Sequence, residues 1–129
     1  MQPFPNGHTP SITIIGLGPG NPEHVTTDTV TTLERIHRRH LRTAVHPSAH
    51  LVTEAAGGAT VYDDVYEAAE TFDEVYAQIT DHLIADAHER GDILYAVPGS
   101  PLVLERTVQL LRQRCINEAI RLHILPAMS

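Results

Sequence analysis

Ser11-Ile-Thr-Ile-Ile-Gly-Leu-Gly-Pro-Gly20 couples a short β-branched run to a loop that no strand can cross. Branching at Cβ restricts Ile12, Thr13, Ile14 and Ile15 and suits them to a pleated, packed surface. The glycines at 16, 18 and 20 together with Pro19 then stop the strand. A buried strand ending in a glycine loop results, and the rest of the chain is read outward from it.

Downstream, residues 24–39 carry Val25, Val30, Leu33 and Ile36 at helical spacing, with Thr26 or Thr27 available as a cap. A second strand is expected over 41–45, closed by His46-Pro47, because the residue before proline is pushed out of helical geometry. Residues 48–58 hold a short helix and the Gly57-Gly58 break, and a short third strand is expected over 59–62. Thr71 and Glu74 match a capping box, and Phe72, Val75, Ile79, Leu83 and Ala87 mark one apolar face of a helix of about five turns that Gly91 ends.

Ile93-Leu-Tyr-Ala-Val97 is nearly all apolar, as expected of a strand covered on both faces, and stops at Pro98-Gly99. Ser100-Pro101 reads as an N-cap and first-turn pair opening a helix through Leu102, Val103, Val108 and Leu111 to about Arg114. A last strand spans 120–125 before Pro126. Strands alternating with helices predict an α/β fold, a mainly parallel five-stranded sheet with helices on both faces and right-handed crossovers. In such sheets ligands gather beyond the carboxyl ends of the strands, where the loops 16–20, 46–47, 98–101 and 126–129 all fall.

The 129 residues fit one domain, with residues 1–10 as a loose polar tail, and 42% hydrophobic content closes one core without staples. The single cysteine, Cys115, excludes a disulfide framework and fits a reducing cytoplasm, with a buried, inert thiol as its expected state. Neither a signal peptide nor a membrane-spanning apolar run is present in these residues. Net charge is −7, with eleven acids against one arginine over residues 51–100, so a nucleic-acid footprint is absent. Arg35, Arg38, Arg39 and Arg42 cluster at an expected helix end, where they complement the backbone dipole or touch an acidic ligand. Every basic residue is arginine, which excludes Schiff-base, pyridoxal-phosphate and Walker-lysine chemistry in this chain.

The first loop is not a dinucleotide fingerprint, since Asn21 stands where the third glycine is needed and no ribose-binding acid ends the second strand. Stiffened by Pro19 and Pro22, its exposed backbone suits a flat nucleoside or a sulfonium ligand. Val97-Pro-Gly-Ser-Pro101 places free N–H groups at a helix start, attractive to a carboxylate. Ser100 as a nucleophile lacks the strained Gly-x-Ser-x-Gly elbow and reads as a cap. No metal site is expected, because His37 and His40 are only an i, i+3 pair beside arginines. Asp63, Glu67, Glu70 and Asp73 could line a magnesium-binding helix edge, but the second acidic motif is missing and a solvated face is the expected reading.

Taken together, Ile15-Gly-Leu-Gly-Pro-Gly-Asn-Pro22, Leu41-Arg-Thr43 with His46-Pro47, Tyr62-Asp-Asp-Val-Tyr-Glu67, Phe72-Asp-Glu-Val-Tyr76 and Val97-Pro-Gly-Ser-Pro101 resemble the tetrapyrrole (corrin/porphyrin) methylases. More narrowly they resemble the methylase-type domain fused ahead of MazG-type nucleoside triphosphate pyrophosphohydrolases. The resemblance covers residues 11–129 and implies the first of two subdomains with S-adenosyl-L-methionine in the cleft between them, so a fragment lacking the second subdomain is expected. It implies cofactor contacts at Gly16, Gly18, Pro19, Gly20, Pro98, Gly99, Ser100, Val103 and Ser129, and Arg42 toward an acidic tetrapyrrole or other small acceptor. Many members have Gly-Gly-Asp-Pro where this chain has Pro98-Gly-Ser-Pro101, so Ser100 replaces an acid. Expected assemblies include a homodimer and a covalent pyrophosphohydrolase fusion, in which a non-catalytic binding or assembly role is the alternative.

Overall fold

The computed structural model describes residues 9–17, 27–44, 49–53, 58–97 and 106–125. Its first strand, β1 (Ser11–Gly16), is buried along its whole length. The apolar run Asp92–Val97 forms β4, buried except at Asp92. These two strands are parallel partners from Ser11↔Asp92 to Gly16↔Val97. Their continuous apolar character is what a strand covered on both faces requires.

Five parallel strands complete the sheet: β2 (Arg39–Leu41), β3 (Thr60–Val61) and β5 (Arg121–Leu125) join β1 and β4 in the order β3-β2-β4-β1-β5. The connections β1 to β2 and β2 to β3 step one way across this order, while β3 to β4 and β4 to β5 step the other way. On one face, α1 (Thr27–Arg35) and α2 (His50–Thr53) bring Leu33 and Val52 against Ile15, Leu41, Leu94 and Ala96. On the opposite face, α3 (Asp63–Ala68), α4 (Phe72–Arg90) and α5 (Arg106–Glu118) pack against Ile12, Ile14, Ile93, Tyr95 and Val97. Opposite steps with helices on opposite faces are what a single crossover hand produces, and the expected doubly wound α/β fold is observed.

Helix α4 has the predicted ends. Thr71 accepts from the Glu74 backbone N–H at 3.2 Å, and the Glu74 carboxylate takes the Glu70 N–H at 3.0 Å. Gly91 closes the helix at φ 95°, a left-handed position that glycine adopts without a Cβ clash. The buried face uses Val75, Ile79, Leu83 and Ala87 as expected, but Phe72 is 70% exposed and stacks on Tyr76.

Three local expectations are corrected. Helix α1 ends at Arg35 rather than Arg39, and it turns Thr29 and Thr32 inward while Val30 is 39% exposed. The Thr32 hydroxyl is satisfied by donating to the Asp28 carbonyl at 2.7 Å, which lets a threonine occupy the inner face. Strand β2 covers 39–41 instead of 41–45, with Arg39 and His40 almost completely buried. Finally, the single helix edge read through Asp63, Glu67, Glu70 and Asp73 is split, because α3 ends at Ala68 and α4 begins at Phe72.

Candidate functional site

Gly16 is the last residue of β1 and lies in register with Val97, the last residue of β4. The Leu17 N–H donates to the Val97 carbonyl at 2.9 Å, which extends the pairing one residue further. The onward connections of these two strands depart in opposite directions, so the switch point of the sheet lies between them. Gly16, read from the sequence as the first residue of the loop, is instead the last residue of β1. Gly18, Pro19, Gly20, Pro98, Gly99, Ser100, Val103 and Ser129 lie outside the described residues.

The exit of β2 reaches the same rim. The Arg42 backbone N–H donates to the Ala96 carbonyl at 3.0 Å, one residue short of Val97. Its side-chain Nε donates to the Tyr66 hydroxyl at 2.8 Å, and the guanidinium carbon lies 5.5 Å from the Tyr66 ring centroid, within cation–π range. Next in the chain, Thr43 Oγ1 donates to Asp63 Oδ1 at 2.5 Å and the Ala44 N–H donates to Asp63 Oδ2 at 2.9 Å. Helix α3 therefore grips three consecutive residues of the β2 exit, and Asp63 is a clamp rather than part of a solvated acidic edge. Sequence reading missed this use, because an acid opening a short helix looks the same whether it meets water or a loop.

The arginine cluster disperses. Arg39 Nη2 and Nε both donate to the Leu33 carbonyl, at 2.7 and 3.2 Å, completing the C-terminal turn of α1 as the dipole argument expects. Arg35 lines a groove of about 450 Å³ with Thr13, Arg121 and His123. Arg38 Nε donates to Asp86 Oδ2 at 2.6 Å.

That last contact belongs to a buried chain of polar groups also absent from the sequence reading. His40 Nε2 lies 2.6 Å from the same Asp86 oxygen, and its Nδ1 lies 2.7 Å from the Tyr62 hydroxyl. An ionised Asp86 only accepts, so Nε2 carries the hydrogen and Nδ1 of the neutral ring accepts from Tyr62. Burial pushes His40 below its ordinary value, outweighing the opposing pull of Asp86. For Asp86 burial acts upward, but hydrogen bonds from Arg38 and His40 prevail and hold it low. Burial also raises Tyr62, keeping its hydroxyl protonated. A cavity of about 400 Å³ between Arg38, Thr60, His82 and Glu89 opens onto this network. His37 takes no part in it, meeting the Glu34 carbonyl at the surface, so the two histidines of the i, i+3 pair diverge.

A parallel sheet whose switch point lies between β1 and β4 defines the chain as a doubly wound α/β domain. The tetrapyrrole (corrin/porphyrin) methylase family matches residues 11–129, and the chain belongs to that family. The uncharacterized protein YabN of Bacillus subtilis strain 168 is 34% identical over 118 residues, covering 92% of this chain and 24% of that protein. Uroporphyrin-III C-methyltransferase from Thermus thermophilus shares the fold at a TM-score of 0.71 and 23% identity, over 93% of this chain and 48% of that one. A uroporphyrin-III C-methyltransferase from the same organism, complexed with S-adenosylhomocysteine, gives 0.65 at 17% identity, over 92% and 48%. The chain thus spans about half the length of these structures and about a quarter of the curated relative. Among the described residues no helix is long and apolar enough to cross a membrane.

Proposed function

We propose that this chain supplies one wall of an S-adenosyl-L-methionine site in a methyltransferase acting on an acidic tetrapyrrole or similar small acceptor. The observation that carries this reading is the register of Gly16 with Val97, which starts the two glycine and proline loops from neighbouring points on one rim. Family membership and a relative complexed with S-adenosylhomocysteine support it. The residues that would hold the cofactor are Gly16, Gly18, Pro19, Gly20, Pro98, Gly99, Ser100, Val103 and Ser129. When bound, the sulfonium supplies an electrophilic methyl group, and such transfers need alignment more than acid–base assistance.

The chain's own residues fit that division of labour. Gly16 and Val97 end the neighbouring strands from which the two loops start. Arg42, braced by Tyr66 at the same rim, offers a permanent positive charge for acceptor carboxylates. A MazG-type fusion in the cytoplasm is the setting that the joint motifs favour, and it leaves room for a non-catalytic binding role. Replacement of the usual acid by Ser100 favours that second reading.

Calorimetry of the full-length protein with S-adenosylmethionine and S-adenosylhomocysteine tests the proposal. Binding of both is expected, and absence of both would sink it. Arg42→Ala should weaken uroporphyrin III binding while leaving S-adenosylhomocysteine affinity unchanged.

A further inference from the structure

We infer that Asp63 is a positioning residue for the acceptor side of the rim, an inference that rests on the functional reading above. Its two carboxylate oxygens divide the work, Oδ1 holding the Thr43 hydroxyl and Oδ2 the Ala44 N–H. Three residues along α3, Tyr66 takes the Arg42 side chain. Positions i and i+3 share one helix face, so Asp63 and Tyr66 present a single bracket to the β2 exit. On the other side, the Arg42 backbone is sewn to Ala96 of β4.

The bracket has a consequence for recognition. A guanidinium on a loose loop loses side-chain and backbone entropy when it meets a carboxylate; one already held in place loses less and binds more tightly. Ala44 is exposed and Thr43 and Asp63 are half-buried, so these bonds bury little apolar surface. Their effect is therefore concentrated on where the segment 42–44 stands rather than on core packing. Charge adds to this, because a carboxylate accepting two hydrogen bonds grips more firmly than a neutral acceptor.

The experiment uses the full-length protein, with uroporphyrin III followed by fluorescence and S-adenosylhomocysteine by calorimetry. Asp63→Ala should weaken the porphyrin about tenfold, the loss expected for a charged hydrogen-bonding group. Its S-adenosylhomocysteine affinity should stay within about twofold, since the Asp63 carboxylate takes its bonds from Thr43 and Ala44 on the β2 exit. Thr43→Val should lose part of the porphyrin affinity and Thr43→Ser should keep it. Amide exchange at Ala44 should accelerate in Asp63→Ala, a readout independent of any ligand. Unchanged porphyrin binding in Asp63→Ala and Thr43→Val overturns the inference, as does an equal loss of both ligands. If the unaltered protein binds neither ligand, the functional reading itself has failed, a result recognisable because it involves no variant.

Discussion

His40 Nε2 lies 2.6 Å from Asp86 Oδ2, tying the middle of the three-residue strand β2 to the last turns of α4 across 46 positions of sequence. Because Asp86 also takes Arg38, one carboxylate holds the two side chains that flank Arg39. This pair joins an inner sheet strand to the helix that covers it.

Asp86→Ala should cost about 2–4 kcal/mol of folding stability, since it strips the acceptor from a buried imidazole and from Arg38. Tyr62→Phe should cost about 1–2 kcal/mol by leaving His40 Nδ1 without its donor. Urea denaturation of both variants checks the order; equal costs would mean that the network is not organised around Asp86.

Acid should destabilise the fold in two stages. His40 is depressed below its ordinary value of 6.5 by burial, so the unfolded chain takes up a proton that the native state refuses as pH falls through that value. Stability then drops from about pH 6.5 downward, with Arg38, Asp86 and His82 as the charged or titratable groups facing the ring. Asp86, held below its ordinary 3.8, adds a further loss as pH falls through and below that value. His40→Gln should flatten the first stage between pH 7.5 and 5, measured by urea midpoints; an unaltered slope there would refute the assignment.

Cys115 should be silent toward thiol reagents in the native state. Burial pushes its thiol up to about 11, with Glu118 adding to the rise, so little thiolate exists near neutrality and the sulfur is enclosed in the core. Labelling with a chromogenic disulfide should go to completion only in denaturant, and prompt native-state reaction would contradict the packing of α5.

On α4, Phe72→Ala should change stability by less than about 0.5 kcal/mol, whereas Leu83→Ala, fully buried on the same helix, should cost about 2–5 kcal/mol. Thermal or urea unfolding of the two variants compares them directly. A large loss in Phe72→Ala would restore the residue to the core that its spacing suggested.

Strand, helix and loop order was legible along the chain because the signals are local: β-branched runs, the Thr71–Glu74 cap, Gly91 and the glycine and proline stops act within a few residues. Family motifs were legible for the same reason, whereas the extension of the first strand through Gly16 was not. The bounds of β2 and α3, and the contacts their polar residues make, were not either. Arg39, His40 and Asp63 look like surface residues until the Leu33 carbonyl, Tyr62, Asp86 and the Thr43–Ala44 segment are brought to them. The neighbours of each strand, and hence the meeting of Gly16 with Val97, were likewise decided only by folding. A buried polar group is stable only when its partner arrives, and here the partners come from elements far apart in sequence.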